Sequence, residues 1–425
     1  MSAKTQPWDT AYEVKAVILL SLAFGLVGLD RFMIFPMFPA IMKDLHFTYQ
    51  NLGEIAGVLS IAWGIAALFA GRLSDLFGRR RVVLITVTVF SVLVGISGLA
   101  TSLITMLLLR AVMGFADGAY TAPSIAATME ASKPSRQGQN IGIEQMMLPL
   151  FGQALAPLLV TNLLHVMDWR WIFVLVTPFG FTVAYMLFRV LKSPAELAHV
   201  EHTVVHDPSA HKWTDVFQYR NIILNIMAMI VLLTCQITLG AMLPSYLVDY
   251  LHLSVPSMGF VLSSIGFGGA AGALVLAPLS DRLGRKPVML ISSLCAALSL
   301  YLFIQTGASP DLLFGLMFVM QFFTYSLVAL TVGPISAESV PPALMATAPG
   351  VVVCIGEIFG GGGVPIIGGF VAQHYGIQYI PYLALAGVLA AFSNSLFLRE
   401  TAPARLKDTT REAGVSVPQP QAPEI

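Results

Sequence analysis

Charge is what this chain lacks. Only 11% of its 425 residues are Asp, Glu, Lys or Arg, against about 25% in an ordinary soluble protein. A soluble chain of this length needs more polar residues to cover its surface, so a soluble enzyme and a disordered chain are excluded. Basic excess is also missing. The 23 Lys and Arg match 23 Asp and Glu, which argues against a nucleic-acid binder. Cysteine is scarce: Cys235, Cys295 and Cys354 show no metal or redox spacing and imply no disulfide framework. Alternating segments of about ten residues, the mark of an outer-membrane barrel, do not occur. No nucleophile–base pair or metal cluster stands out, so no enzymatic activity, cofactor or metal is expected. Nor is a cleavable leader, because Asp9 and Glu13 precede a first apolar run too long for one.

What is present is apolar: 56% of residues are hydrophobic and mean hydropathy is +0.78. Twelve long runs recur, from 14–40 at the start to 377–398 at the end. Most reach the roughly 20 residues a helix needs to cross a bilayer. Weak periodicity suits helices that are apolar on nearly all sides. The expectation is an all-α membrane protein of twelve transmembrane helices in two pseudo-symmetric six-helix bundles. Basic residues orient it. With the N-terminus in the cytoplasm, nineteen of the 23 fall inside, Lys43 and Arg170 outside, and Arg31 and Arg110 within spans. Both termini are then cytoplasmic, and a cell inner (plasma) membrane is expected.

The longest polar interior stretch divides six spans from six. The expected organisation is a cytoplasmic N-terminus (1–13), an N-terminal bundle (14–191), a cytoplasmic linker (192–219), a C-terminal bundle (220–400) and a disordered tail (401–425). In the linker, His199, His202 and His206 share one helical face, with His211 beyond. An amphipathic surface helix is preferred there to a metal site. The halves repeat at an offset of 206 residues: the loop with Gly71, Asp75, Gly78, Arg79 and Arg80 returns as Ala277, Asp281, Gly284, Arg285 and Lys286. Glycine lets the chain reverse, the basic pair holds the loop inside, and the aspartate is expected to accept hydrogen bonds from a helix N-terminus.

These two loops resemble the G-x-L-[AS]-D-[RK]-x-G-[RK]-[RK] pattern of the major facilitator superfamily, with Ala277 replacing a frequent glycine. The resemblance implies the major facilitator fold, alternating access around a central cavity, and inner-gate roles for the loop residues. The run Gly360–Gly363 is not a phosphate loop, since no Lys-Ser/Thr follows. Glycines there are expected to let helices pack closely, and Pro36, Pro39, Pro149 and Pro157 to kink gate helices.

Each charge inside a span costs about 2.5–3.5 kcal/mol on insertion scales and needs a reason. The clear cases are Asp30, Arg31, Arg110, Asp117, Glu144 and Glu357; Glu130, Asp249 and Glu338 sit near span ends and are expected to be wetted. Asp30 and Arg31 project about 100° apart and cannot simply neutralise each other. Arg110 and Asp117 lie on one face about 10 Å apart along the axis, with room for a ligand or for pairing with span 1. A carboxylate isolated in low dielectric can carry a proton near neutral pH, and arginine offers a planar fork to a carboxylate. A lattice that only glues helices is the weaker reading, because apolar packing avoids the desolvation cost.

Leu29-Asp30-Arg31 with Arg110-x-x-x-Gly114-x-x-Asp117 resembles the anion:cation symporter branch, which includes sugar-acid and galactonate-type transporters. Spinster-type lipid transporters share much of the arrangement. The resemblance implies proton coupling at Asp30 and Asp117, and a substrate carboxylate near Arg31 and Arg110. Asp117 stands where glutamate is usual and is one methylene shorter. The 206-residue offset maps the four charges onto Gln236, Ile237, Leu316 and Phe323. The N half is therefore expected to bind the acid head and the proton. Gln236, Gln321 and Tyr325, with Phe314, Phe318 and Phe322 nearby, would contact the substrate body. Gln145 as a hydrogen-bonding group and Glu357 as a second protonation site complete the set. The expected function is a monomeric secondary transporter importing a small organic anion with protons; its partners are that anion, protons and the lipid bilayer. One rival is a proton-coupled exporter of drugs or amphipathic lipids, although G-x-x-x-G-P is not intact between Gly142 and Pro149. Another is a non-transporting membrane sensor, disfavoured because no soluble domain is seen to relay a signal.

Overall fold

The computed structural model describes residues 8–192, 213–341, 344–345 and 347–402, without the side chain of Asp75. The linker histidines His199, His202, His206 and His211 and the tail from 403 onward lie outside the described residues. Within them the regular elements are helical. Twelve helices are long and apolar enough to cross a membrane: α1 (Thr10–Leu45), α2 (Tyr49–Ser74), α3 (Arg79–Ser97), α4 (Leu103–Ala131), α5 (Pro134–Leu163), α6 (Trp169–Val190), α7 (Arg220–Tyr250), α8 (Val255–Leu283), α9 (Arg285–Gln305), α10 (Pro310–Glu338), α11 (Thr347–His374) and α12 (Ile377–Leu396).

Caps, not hydropathy, set where several of these helices begin. Asp9 accepts from the Tyr12 N–H at 3.0 Å and starts α1 before its apolar run. That bond, helped by Lys192 Nζ at 3.1 Å, holds the Asp9 carboxyl below its usual range. Thr48 and Asn51 form a reciprocal capping box at the start of α2, satisfying two orphan donors.

Several spans are not continuous α-helix. The first breaks at Met33, three residues before Pro36. Wide i→i+5 turns interrupt α5 at Leu150–Leu155, α7 at Thr234–Leu239 and Tyr246–Tyr250, α10 at Thr331–Ile335 and α11 at Glu357–Gly363. The turns in α5 and α11 stand about one repeat length apart, so the halves share their irregularities as well as their loops. Pro149 directly precedes the first of them, as expected of a residue without an N–H. The backbone departure at Gly333, beside Pro334 in α10, was not among the expected kinks. Such turns cluster at functional sites.

The halves meet along α2–α11 and α5–α8. A methyl at Gly53 would meet the Pro365 carbonyl oxygen at 2.2 Å, and one at Gly266 would meet the Ala154 nitrogen at 2.1 Å. Toward the basic loops, a methyl at Gly71, Gly142 or Gly350 would meet nothing within 4 Å. The halves thus pack closely at these contacts, while the three glycines toward the basic loops have open space beside them. Tyr49 ties the packed end: its hydroxyl donates to Asp249 Oδ2 at 2.7 Å and its N–H to Gln373 Oε1 at 3.2 Å. Asp249 is exposed as expected, yet it also links α7 to α2.

Gly53→Ala places a carbon where the Pro365 carbonyl now sits, an overpacking cost of about 1–3 kcal/mol on closure at this end. Cysteine labelling of positions around Tyr49 in Gly53→Ala vesicles is expected to rise. Unchanged labelling would show that closure does not depend on this contact.

Candidate substrate and proton site

The middle of the membrane holds two arginines in different settings. Arg31 leaves α1 toward α2 and α11. Its Nη2 donates to Glu357 Oε2 at 2.8 Å and to Ser60 Oγ at 3.0 Å. Its guanidinium stacks 4.5 Å from the Trp63 ring centroid, a favourable cation–π contact. Ser60 and Trp63, one turn apart on α2, hold the arginine from one half while Glu357 holds it from the other. Glu357 opens the wide turn of α11. A methyl at Gly361 in that turn would strike both Glu357 Oε2 and Ser60, so the glycine run makes the room in which the pair forms.

Arg110 on α4 is completely buried. Its Nη1 donates to the Asp30 carbonyl oxygen at 2.9 Å and approaches Met113 sulfur at 3.5 Å, while Nε and Nη2 have no partner. Asp117 is equally buried and neither of its carboxyl oxygens is hydrogen-bonded; the same holds for Asp30 Oδ2. The expected pairing of span 4 with span 1 is therefore made through the backbone of Asp30. Asp117 lies within electrostatic reach of Arg31 and Arg110. A small void touches both arginines, with Ser60, Phe35 and Ile237 among its walls. Ile237 is the apolar counterpart of Arg31 in the repeat, and it faces the void from α7.

The C half contributes neutral groups. Gln236 sits in the wide turn of α7 with its Nε2 unbonded. Gln321 Oε1 accepts from the Thr324 hydroxyl at 2.9 Å, leaving Nε2 free. Tyr325 is in electrostatic reach of Arg31 and Glu357. Gln145 on α5 is half-buried with an unbonded Nε2. Phe314 stacks on Phe260 of α8 at 4.6 Å, with Phe318 next in the row; these two rings pack helices together. Sequence reasoning missed Ser60 and Trp63, and also Gln153, a buried glutamine with an unbonded Oε1 in the wide turn of α5. An amide within an apolar run was a signal for Gln153. A serine and a tryptophan in a membrane helix carry none.

At the basic-loop end the two motifs build matching ion pairs. Arg79 pairs with Glu130 at the end of α4, and Arg80 donates to the Phe188 carbonyl at 2.7 Å. Arg285 pairs with Glu338 at 2.8 Å and with Asp281 at 2.6 Å, and Lys286 Nζ donates to the Leu396 carbonyl at 2.7 Å. Glu130 and Glu338, expected to be only wetted, are the acids of these pairs. Gly78 and Gly284 take φ of +84° and +101°, where a side chain would be strained. The expected role of the aspartate at a helix N-terminus falls instead to Glu400, which accepts from the N–H groups of Arg285 and Lys286 at 2.8 and 3.2 Å. Asp75 cannot be compared with Asp281, because its side chain lies outside the described set.

Twelve spanning helices in two repeated halves, joined through a buried ion pair, have the architecture of a membrane transporter. The chain belongs to the Major Facilitator Superfamily, which it matches over residues 20–249 and 224–422. It is 28% identical over 407 residues to a Haemophilus influenzae protein named as a metabolite transport protein, covering 92% of this chain and 97% of that one. It is 25% identical over 391 residues to the sialic acid transporter NanX of Escherichia coli, covering 90% and 92%. Among solved structures, a D-xylose-proton symporter superposes with a TM-score of 0.75 at 18% identity, covering 92% of this chain and 99% of that one. The protein is a multi-pass transporter and not an enzyme.

Glu400→Ala strips the start of α9 of its acceptor and is expected to cost about 1 kcal/mol. Glu338→Ala removes a partner from the buried Arg285 and is expected to cost about 1–3 kcal/mol. Thermal unfolding in detergent measures both. Equal, negligible losses would mean that neither contact holds the gate.

Proposed function

We propose that the protein imports a small organic anion together with protons by alternating access. The observation that carries this reading is the buried Arg110, with two donor nitrogens unbonded beside a void it shares with Arg31. A desolvated guanidinium with free donors calls for an anion, and its fork matches a carboxylate. The E. coli relative named for a sialic acid supports an organic acid as substrate. In the proposed cycle Asp30 and Asp117 take up protons while the cavity faces outward, and Arg31 and Arg110 receive the carboxylate. Gln145, Gln236, Gln321 and Tyr325 then contact the substrate body. The bundles 14–191 and 220–400 rock as units, carried by the linker 192–219. The basic loops face the cytoplasm of a cell with this chain in its inner (plasma) membrane, so the basic-loop end is the inward-facing mouth. Higher internal pH releases the protons. Each net positive charge moved inward gains about 2.3 kcal/mol per 100 mV.

Glu357 has a defined part in this cycle. It occupies Arg31 as a substrate carboxylate would, and an arriving acid competes with it. The gate residues Gly71, Asp75, Gly78, Arg79, Arg80, Asp281, Gly284, Arg285 and Lys286 latch the inner face between turnovers.

Proteoliposomes with an imposed pH gradient and a panel of sugar acids, aromatic acids and monocarboxylates test the reading. Asp117→Asn should abolish pH-driven uptake and leave counterflow partly intact; uptake still driven by pH would remove Asp117 from proton coupling. Arg110→Ala should weaken acid binding at least about tenfold, as loss of a charge-assisted contact does, and retained affinity would overturn the substrate class. Glu357→Gln should bind acid more tightly while net uptake falls, because Arg31 is left unneutralised in the empty carrier.

A further inference from the structure

Glu144 on α5 plays no part in the cycle above, yet its setting is unusual. It is completely buried. One carboxyl oxygen accepts from the Ser124 hydroxyl of α4, and Oε2 has no partner. The Thr128 hydroxyl faces the carboxyl from the next turn without a formed hydrogen bond. Tyr120, also on α4, has its hydroxyl committed to the Leu20 carbonyl at 2.9 Å. Among the described residues no Lys or Arg forms an ion pair with Glu144. An ionised carboxylate in such a place is costly, whereas a protonated one has a proton to donate to the hydroxyls around it.

The register of α4 connects this acid to Asp117. Ser124 follows Asp117 by seven residues, two turns along the same face and about 10 Å along the axis. Thr121 lies between them, its hydroxyl on the Asp117 carbonyl oxygen at 3.3 Å. The stripe runs on through Thr128 to Ser132, whose hydroxyl accepts from Asn140 Nδ2 at 2.8 Å. Asn140 also donates to Glu13 Oε1 at 2.9 Å, and Glu13 is held by Arg136 and by Trp8 Nε1. The charged groups facing the stripe are therefore Asp117 at its inner end and Glu13 with Arg136 at the basic-loop end. Asp117, Thr121, Ser124, Thr128 and Ser132 thus set out a row of polar groups along one face of α4, with Glu144 bonded to it at Ser124 and Asn140 and Glu13 at its basic-loop end.

We propose that Glu144 is a further proton-carrying site of the N half, the station through which the proton held by Asp117 leaves toward the basic-loop end. The proposal rests on the reading of Asp117 as a proton site. The Asp117 carboxylic acid gives its proton through the hydroxyls of Thr121 and Ser124 and bridging water to the Glu144 carboxylate. Asp117 is left ionised near Arg110 and Glu144 becomes the neutral acid. Glu144 then gives the proton to water at the basic-loop mouth. The relay separates the proton's exit from the substrate's, so release does not require the acid to leave first.

Infrared spectroscopy of the full-length carrier in liposomes, titrated with pH in light and heavy water, tests this without any substrate. The wild-type protein should show separately titrating buried carboxylic-acid carbonyl bands for Asp117 and Glu144 beside that of Asp30, which Asp30→Asn identifies. Glu144→Gln should remove its own band and leave the others, and it should slow hydrogen–deuterium exchange of the Asp117 band about tenfold or more. Asp117→Asn should remove the Asp117 band. Ser124→Ala, which keeps both acids, should move the Glu144 titration and leave the Asp117 titration in place. If Glu144→Gln removes no band, Glu144 does not carry a proton. If the Asp117 band exchanges at the wild-type rate in Glu144→Gln, Glu144 is not on the path. If only Asp117→Asn is without effect, the Asp117 reading falls and Glu144 stands as a proton site on its own band.

Discussion

The ion pair between Arg31 and Glu357 is the interaction on which the rest of the centre depends. It joins residues of opposite halves, 326 positions apart in the chain, at a depth where charge is expensive. Desolvating two such groups can outweigh their attraction, so the pair is poor glue, and in the proposed cycle it serves as a switch. Breaking it with nothing in exchange leaves an uncompensated buried charge, whereas exchanging one carboxylate for another leaves the electrostatics nearly unchanged. A carrier whose empty and loaded states have similar energies needs that property. The packed arrangement of α1, α2 and α11 follows from it: Ser60 and Trp63 hold the guanidinium, and the glycine run lets α11 come close enough for Glu357 to reach.

The repeat is kept where the chain must fold and broken where it must bind. At the gate the two halves use the same solution, Arg79 with Glu130 and Arg285 with Glu338. The wide turns of α5 and α11 also correspond. In the centre the symmetry ends, because Ile237 stands where Arg31 would be and Phe323 where Asp117 would be. Two like sets of charges facing one cavity would repel, and each would need its own counterions. Confining the arginines and aspartates to the N half lets the C half answer with a single acid and uncharged amides. The result is a small void that touches both Arg31 and Arg110 and is walled on the C-half side by Ile237.

Much of this was legible in the chain. Twelve spans, the division into halves, the repeated loops and the buried charges all follow from hydropathy and spacing, because the bilayer punishes unsatisfied backbone and stray charge so heavily. Helix ends were less legible, since caps such as Asp9 and Thr48 lie outside the apolar runs. Partners were least legible. Adjacent Asp30 and Arg31 had to diverge, but nothing in their spacing said that Arg31 would cross to Glu357, or that Arg110 would take the Asp30 carbonyl and not its carboxylate. Glu130 and Glu338 looked like ordinary span-end acids, and Glu400 carried no signal, because their arginines and N–H groups are distant in sequence. Ser60 and Trp63 were invisible for a different reason: hydroxyls and aromatics in membrane helices most often serve packing, and only position distinguishes these two.

Unsatisfied polar atoms in the N half are the remaining constraint. Buried donors and acceptors without partners are few in stable folds, and here Arg110, Asp117 and Glu144 hold several within one bundle. Apolar substitutions at these positions would serve stability better, so the cost is retained for what the groups can still bind. On the proposed reading, the free guanidinium nitrogens take an anion and the free carboxyl oxygens take protons. In the proposed cycle both demands are met together when an acid and its protons enter, and both reappear when they leave. The binding energy of the cargo thus repairs a defect that the empty carrier cannot repair alone, which is how occupancy can bias the packing of two rigid halves.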